Sequence, residues 1–236
     1  MNCPAPAPPV LAPVLGQIPP RPLLVGLAGP SGCGKSTTAC LLAGGGGWAR
    51  VSFADPLRAL FLALNPDKDL WHVGPGKDLT PATGGLSPRE CLRVMGDWAK
   101  AYEPGFFVAA AYDAIRRQWR EGRHVVIDDV RFEAEAEAIR VLDGFVCHIS
   151  RQEVQFRRDH NSEMGIDPQP GDLHLRNWGG LQALQGELGH VLASLMGHAM
   201  RLPPLREPWA GDLPRPRRFQ GHDWANDLRY QRQSAS

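Results

Sequence analysis

The sequence predicts an α/β fold in which a parallel β-sheet is flanked by helices. Short apolar runs of strand type alternate with helical stretches, the pattern of strand–helix–strand crossovers. The first of these runs opens directly into a glycine-rich loop and a helix. Hydrophobic residues make up 43% of the 236 positions, enough for a core on both faces of such a sheet.

Taken in order, residues 23–28 read as a buried strand, 29–34 as a glycine loop and 35–43 as a helix. After the glycine break at 44–47, a second strand is expected over 50–53. Asp55 is the expected N-cap of the next helix, with Pro56 at its first position. Residues 65–86, rich in Gly, Pro and Asp, read as a loop or small insertion. Ser87-Pro88-Arg89-Glu90 is a capping box with proline at the first helical position, leading into 91–95. Val108, Ala111, Tyr112, Ile115 and Trp119 mark the apolar face of a helix over 107–121. A strand at 124–129 ends in two carboxylates, and a helix at 133–142 and a strand at 145–150 follow. A polar, irregular lid segment at 151–171 leads to a strand at 173–177 and a helix at 181–195. The reading is a domain at 23–202 between a proline-rich, disordered arm at 1–22 and a Pro/Arg-rich tail at 203–236.

Residues 29–36 read Gly-Pro-Ser-Gly-Cys-Gly-Lys-Ser, a full match to the phosphate-loop pattern G-x-x-x-x-G-K-[ST]. Gly29, Gly32 and Gly34 let the backbone curl so that successive N–H groups point inward. The first helical turn adds unpaired donors and the positive end of its dipole. Gly29, Pro30, Ser31, Gly32, Cys33, Gly34, Lys35, Ser36 and Thr37 are therefore the expected triphosphate cradle. Within it, Lys35 would reach the β- and γ-phosphates and Ser36 would ligate Mg²⁺. The chain is expected to bind a nucleoside triphosphate.

A formal net charge of +1 implies no global attraction to nucleic acid or membranes. The five cysteines show no C-x-x-C pair or metal spacing, which fits reduced thiols in a cytoplasm. No basic segment opens the chain in signal-peptide fashion, and no apolar run approaches the ~20 residues that span a bilayer. A cytoplasmic location with no membrane partner is the expectation.

The strand at 124–129 supplies the second half of a phosphotransfer site, an acidic group beside the phosphate loop that can hold Mg²⁺ or its waters. One of two adjacent carboxylates on a regular strand must face away, which leaves either Asp128 or Asp129 to hold the metal. The competing reading is that both merely cap the next turn. Arg131 follows directly, Arg151 closes the next strand, and Arg157, Arg158 and His160 lie on the polar stretch beyond. Mobile arginines that close over a transferring phosphate stabilise its charge and exclude water; for Arg157 and Arg158 a solvated basic face is the alternative. The absence of an N-K-x-D motif argues against a GTPase.

Several longer stretches join these motifs: Ser52-Phe53-Ala54-Asp55-Pro56-Leu57-Arg58, the helix start from Ser87 to Gly96, Asp129-Val130-Arg131-Phe132, His160-Asn161-Ser162-Glu163, and Gly171-Asp172-Leu173-His174-Leu175-Arg176-Asn177. In this combination, over roughly residues 23–195, the chain resembles phage and bacterial deoxynucleotide monophosphate kinases. The resemblance implies a P-loop kinase fold, ATP and Mg²⁺ as cofactors, and a deoxynucleotide acceptor. Carried over by position, it implies that Lys35 and Ser36 contact triphosphate and metal and that Asp129 is the acid at the strand end. Asp55, Arg58, Arg89 and Arg131 would then face the acceptor, joined by Arg93, and Arg151, His160 and Glu163 would form the lid, Glu163 also reaching the acceptor.

The chain departs from that family on the acceptor side. Where members typically read L-Q-x-L-G-T after the P-R-E helix start, this chain has Leu92-Arg93-Val94-Met95-Gly96-Asp97, with Lys100 where an arginine is usual. A base-reading amide is thus exchanged for a guanidinium that prefers phosphate. The tail interleaves Arg201, Arg206, Arg215, Arg217, Arg218, Arg229 and Arg232 with Trp209, Phe219, Trp224 and Tyr230, a composition suited to a phosphate backbone and stacked bases. The resemblance extends to phage DNA-hypermodification kinases that phosphorylate 5-hydroxymethyluracil within DNA, and it implies as leading acceptor the 5-hydroxymethyl group of 5-hydroxymethyl-deoxyuridine in double-stranded phage DNA, with Asp55 or Asp128 as proton acceptor. The alternative is a free deoxynucleoside monophosphate, whose ionised phosphate needs no base. A non-catalytic ATP-dependent switch is the third reading.

Overall fold

The computed structural model describes residues 21–70, 73–74, 76–79, 85–103, 105–152, 154 and 165–200. The proline-rich arm up to residue 20, the tail, and the lid residues Arg157, Arg158, His160 and Glu163 lie outside the described residues.

The elements, in chain order, are β1 (Leu24–Ala28), α1 (Lys35–Gly44), β2 (Trp48–Val51), α2 (Asp55–Leu64), α3 (Pro88–Tyr102), α4 (Phe106–Arg120), β3 (His124–Val130), α5 (Glu133–Val141), β4 (Phe145–Ser150), β5 (Leu173–Arg176) and α6 (Leu181–Ala199). They fall into two compact units. One takes in Ala54–Ala111; the other takes in the described residues before Ala54 and after Ala111. The sequence alone suggests a single domain at 23–202.

The unit with the sheet carries all five strands, parallel throughout, in the order β2-β3-β1-β4-β5. Strands covered on both faces read as continuous apolar runs, and every residue of β1 is buried. The core joins Leu23, Val25 and Leu27 to Leu41 and Leu42 of α1 and to Leu184, Leu188, Leu192 and Leu195 of α6. Each such leucine contributes about 1.5–3 kcal/mol of burial. Met196 and Ala199 continue that buried stripe, which is why α6 runs four residues beyond its expected end at 195. The unit also reaches further forward than expected. Arg21 is 7% exposed, and its guanidinium donates to Asp143 Oδ2 and to the Asp143 carbonyl, both at 3.0 Å.

Two irregularities shape the site. In β3, Gly26 of β1 faces Ile127 while Ala28 faces Val130, so Asp128 and Asp129 together stand opposite Leu27. Such a two-against-one bulge re-aims side chains that a regular strand would send to opposite faces. The second strand lies at Trp48–Val51 rather than 50–53. Trp48 packs on the His124 ring at 4.9 Å, and Ser52 and Phe53 leave the strand to bond with Asp129.

In the unit Ala54–Ala111, α3 starts as expected. The Glu90 N–H donates to Ser87 Oγ at 3.3 Å, and the Ser87 N–H donates to Glu90 Oε2 at 2.8 Å. At the start of α2, Ala54 holds the N-cap position without a side-chain cap bond. Asp55 lies inside the first turn instead, where it accepts from Arg58 at 2.8 Å. The core of this unit is Phe61 and Val73, with Leu62, Cys91, Leu92 and Met95 packed against them. Among the described residues, no helix is long and apolar enough to cross a membrane.

Candidate active site

The phosphate loop takes the curled form its glycines allow. Gly29, Gly32 and Gly34 have φ of 139°, 84° and 113°, a region L side chains rarely enter. A Cβ at Gly34 would stand 2.5 Å from Asn177 Nδ2, so a side chain there would displace that amide. Gly34 is also the N-cap of α1, with no side-chain cap bond, and the helix start is open to an anion. Lys35 Nζ donates to the carbonyls of Gly29 at 2.5 Å and Pro30 at 2.9 Å, which holds the ammonium against the loop. Ser36 and Thr37 are exposed, while Thr38 is buried and donates to the Gly34 carbonyl at 3.0 Å. Burial pushes the Cys33 thiol up even beside Lys35, so this cysteine packs and does not ionise.

The two carboxylates of β3 are both buried and take different partners. Ser36 Oγ lies 3.4 Å from Asp128 Oδ2, and Arg50 pairs with the same carboxylate oxygen. Asp129 accepts from the Ser52 hydroxyl and from the Phe53 N–H, the latter at 2.9 Å, and so ties β3 to the residues that follow β2. The carboxylate beside the loop serine is therefore Asp128, not the expected Asp129. The bulge is the reason, since it leaves neither carboxylate facing away. Ser36 Oγ and Asp128 form a hard oxygen pair of the kind that suits Mg²⁺, which takes few protein ligands and completes its shell with phosphates and water.

Arg131 follows the strand, and its backbone N–H donates to Glu135 Oε2 at 2.8 Å. Glu135 also accepts from the Phe132 N–H at 3.1 Å, closing the first turn of α5. Arg151 is exposed just after β4, and its carbonyl accepts from the Val154 N–H at 3.1 Å. Asp172 joins α5 to β4. It accepts from Arg140 Nη2 at 2.8 Å and the Gln169 N–H at 2.9 Å, and it lies 2.9 Å from His148 Nε2. Burial works to raise this carboxyl, and the bonds from Arg140, Gln169 and His148 outweigh it and hold it low.

Of the expected acceptor residues, Asp55, Arg58, Arg89 and Arg93 belong to the other unit, Arg131 to the sheet unit, and Glu163 lies outside the described residues. Asp55 and Arg58 pair with each other, and Arg89 grips Asp78 with Nε and Nη2, the latter at 3.0 Å. The Arg89 hydrogen bond lowers the Asp78 carboxyl. Arg93 is exposed on α3. Three residues of the sheet unit escape a sequence-based assignment as site residues. Ser52 and Asn177 lie inside motifs already singled out, whereas nothing in the sequence marks Arg50.

A central strand that runs into this loop, with a buried carboxylate beside the loop serine, defines a P-loop phosphotransferase. A family model described as deoxynucleotide monophosphate kinase matches residues 103–188. A protein of Acanthamoeba polyphaga mimivirus, provisionally named a deoxynucleotide monophosphate kinase, is 32% identical over 159 residues, which cover 61% of this chain and 82% of that relative. Dephospho-CoA kinase from Campylobacter jejuni aligns with a TM-score of 0.40 at 16% identity, over 75% of this chain and 98% of its own. The chain belongs to the deoxynucleotide monophosphate kinase family and is a nucleotide-binding kinase.

Proposed function

We propose that this kinase moves the γ-phosphate of ATP to the phosphate of a free deoxynucleoside monophosphate, releasing ADP and the deoxynucleoside diphosphate. The observation that carries this reading is the state of the carboxylates that could act as a base. Asp55 is paired with Arg58, Asp128 with Arg50, and Asp129 accepts from Ser52 and Phe53. Each carboxylate that could act as a base is thus engaged by a partner within the chain, and an ionised phosphate acceptor needs no base. The name carried by the mimivirus relative supports the same acceptor. This order reverses that of the sequence reading, which places the modified base in DNA first.

In this reading Lys35 and the loop N–H groups hold the triphosphate, and Ser36 and Asp128 would hold Mg²⁺, which would offset the charge of the phosphates. Arg131 and Arg151 neutralise the charge of the transferring group. Arg157, His160 and Glu163 belong to the lid that shields it, and Arg58, Arg89 and Arg93 receive the acceptor. A cytoplasmic setting fits the scattered, reduced cysteines.

A second reading, phosphorylation of the 5-hydroxymethyl group of 5-hydroxymethyl-deoxyuridine in DNA, draws support from α3. That helix carries Arg93 in place of the family's amide. It also bears Trp98 and Tyr102, 64% and 80% exposed, stacked with centroids 5.9 Å apart and an interplanar angle of 14°. Exposed stacked rings suit nucleobases.

Labelled ATP supplied with a panel of deoxynucleoside monophosphates, and in parallel with duplex DNA containing 5-hydroxymethyluracil, separates the two. Label in diphosphates is expected. Label in DNA, only where the modified base is present and declining steeply with salt, would replace the first reading by the second. Label in neither acceptor, with a Lys35→Ala chain that retains its biological role, would point to a nucleotide-dependent switch.

A further inference from the structure

We propose that Asn177 is a positioning residue for phosphoryl transfer, aiming a backbone donor of the phosphate loop at the triphosphate. The proposal deepens the reading of residues 29–36 as a triphosphate site and rests on it. Asn177 is the first residue after β5, and its backbone N–H donates to the Ser150 carbonyl at the end of β4 at 2.8 Å. The residue is 7% exposed, and its side-chain Nδ2 donates to the Cys33 carbonyl at 2.8 Å. The frame of the sheet thus reaches directly into the loop.

Peptide geometry supplies the consequence. In a trans peptide the C=O and the following N–H point in opposite directions. Drawing the Cys33 oxygen toward Asn177 therefore turns the Gly34 N–H the other way. A donor aimed inward at this place in such a loop meets phosphate oxygens. The Cys33 N–H is already committed to the Pro30 carbonyl at 3.2 Å, so Gly34 offers the next donor along the loop. The close approach also explains residue 34 itself. Its φ of 113° is one that L side chains rarely adopt, and a Cβ there would stand 2.5 Å from Asn177 Nδ2, so a side chain at 34 would displace the amide. An aspartate at 177 would keep the shape and set a negative oxygen against the Cys33 carbonyl, removing the restraint on the peptide.

The test measures equilibrium binding of ATP, and separately of inorganic tripolyphosphate, to the full wild-type chain and to its Asn177→Asp, Asn177→Ala and Asn177→Ser variants. Thermal unfolding and the KM values for ATP and acceptor are measured on the same preparations. Loss of one well-aligned donor is worth about tenfold. The expected result is about tenfold weaker binding of both ATP and tripolyphosphate in the Asp and Ala variants. Serine, which keeps a hydroxyl donor, should recover part of the loss, and the acceptor KM should stay within about twofold of wild type. A merely structural residue would instead lower Tm and weaken ATP and acceptor together. That pattern overturns the proposal, as do unchanged affinities in folded variants or failure of all three to fold. Wild-type chain that binds neither ligand would overturn the triphosphate site along with it. Wild-type binding with unaffected variants would overturn the positioning role alone.

Discussion

Asp128 and Asp129 are neighbours in the chain with separate tasks. Asp128 lies beside Ser36 and pairs with Arg50, whereas Asp129 accepts from Ser52 and Phe53. Replacing each by asparagine should therefore give different losses. On the proposal that Asp128 holds Mg²⁺, we expect kcat of Asp128→Asn to fall on the order of a hundredfold with a raised Mg²⁺ requirement, because a bound metal supplies several kcal/mol of charge stabilisation. For Asp129→Asn we expect a loss of about 1–3 kcal/mol of folding stability, the cost of a buried donor left poorly matched, with the Mg²⁺ requirement unchanged. Steady-state kinetics over a Mg²⁺ series, with denaturant unfolding of both variants, checks the pair. A raised Mg²⁺ requirement in the Asp129 variant instead would return the metal to that residue.

Among the elements, β3 is tied at its start as well as at its end. The Leu23 N–H donates to His124 Nδ1 at 2.9 Å, and burial lowers this imidazole below its ordinary 6.5. The folded protein therefore keeps His124 neutral where the unfolded chain takes up a proton. Its contribution is fully present above pH 6.5 and is lost as pH falls from there toward the lower folded value. Unfolding free energy should drop between about pH 7.5 and 5.5. His124→Asn, whose Oδ1 can accept the same Leu23 donor without titrating, should flatten that dependence. Denaturant titrations at the two pH values measure it, and an equal slope in both chains would exclude His124 as its source. The cap of α3 is a simpler case: Ser87→Ala removes the acceptor for the Glu90 N–H and should cost about 1 kcal/mol of stability.

At the scale of the whole molecule, the chain leaves the sheet unit after Phe53 and returns at Tyr112, with a compact unit of its own between. That unit is centred on Phe61, fully buried. Truncation of a buried phenylalanine typically costs about 3–5 kcal/mol. In Phe61→Ala, amide exchange should accelerate across Ala54–Ala111 while the sheet amides stay protected. ATP affinity should hold, and the acceptor KM should rise if Arg58, Arg89 and Arg93 receive the acceptor as proposed, since all three belong to this unit. Acceleration spread equally over both units would mean that they unfold as one.

The sequence by itself determined the strand–loop–helix of the phosphate site, the parallel α/β class, the Ser87 cap and the family. Each of these rests on short-range physics: apolar runs, glycine torsions and a four-residue hydrogen-bond pattern. It missed features that depend on register between distant segments. The bulge opposite Leu27 exists only because β3 pairs with β1, and it moved the serine-facing carboxylate from Asp129 to Asp128. The shift of β2, the Arg50 pair and the transfer of Asp55 from cap to first turn were likewise set by partners elsewhere in the chain. Asn177 reaches Cys33 across 144 positions of sequence, a contact that no local pattern encodes. Tertiary structure decided these points because the free energy of a buried carboxylate or amide depends on which donor the fold brings to it.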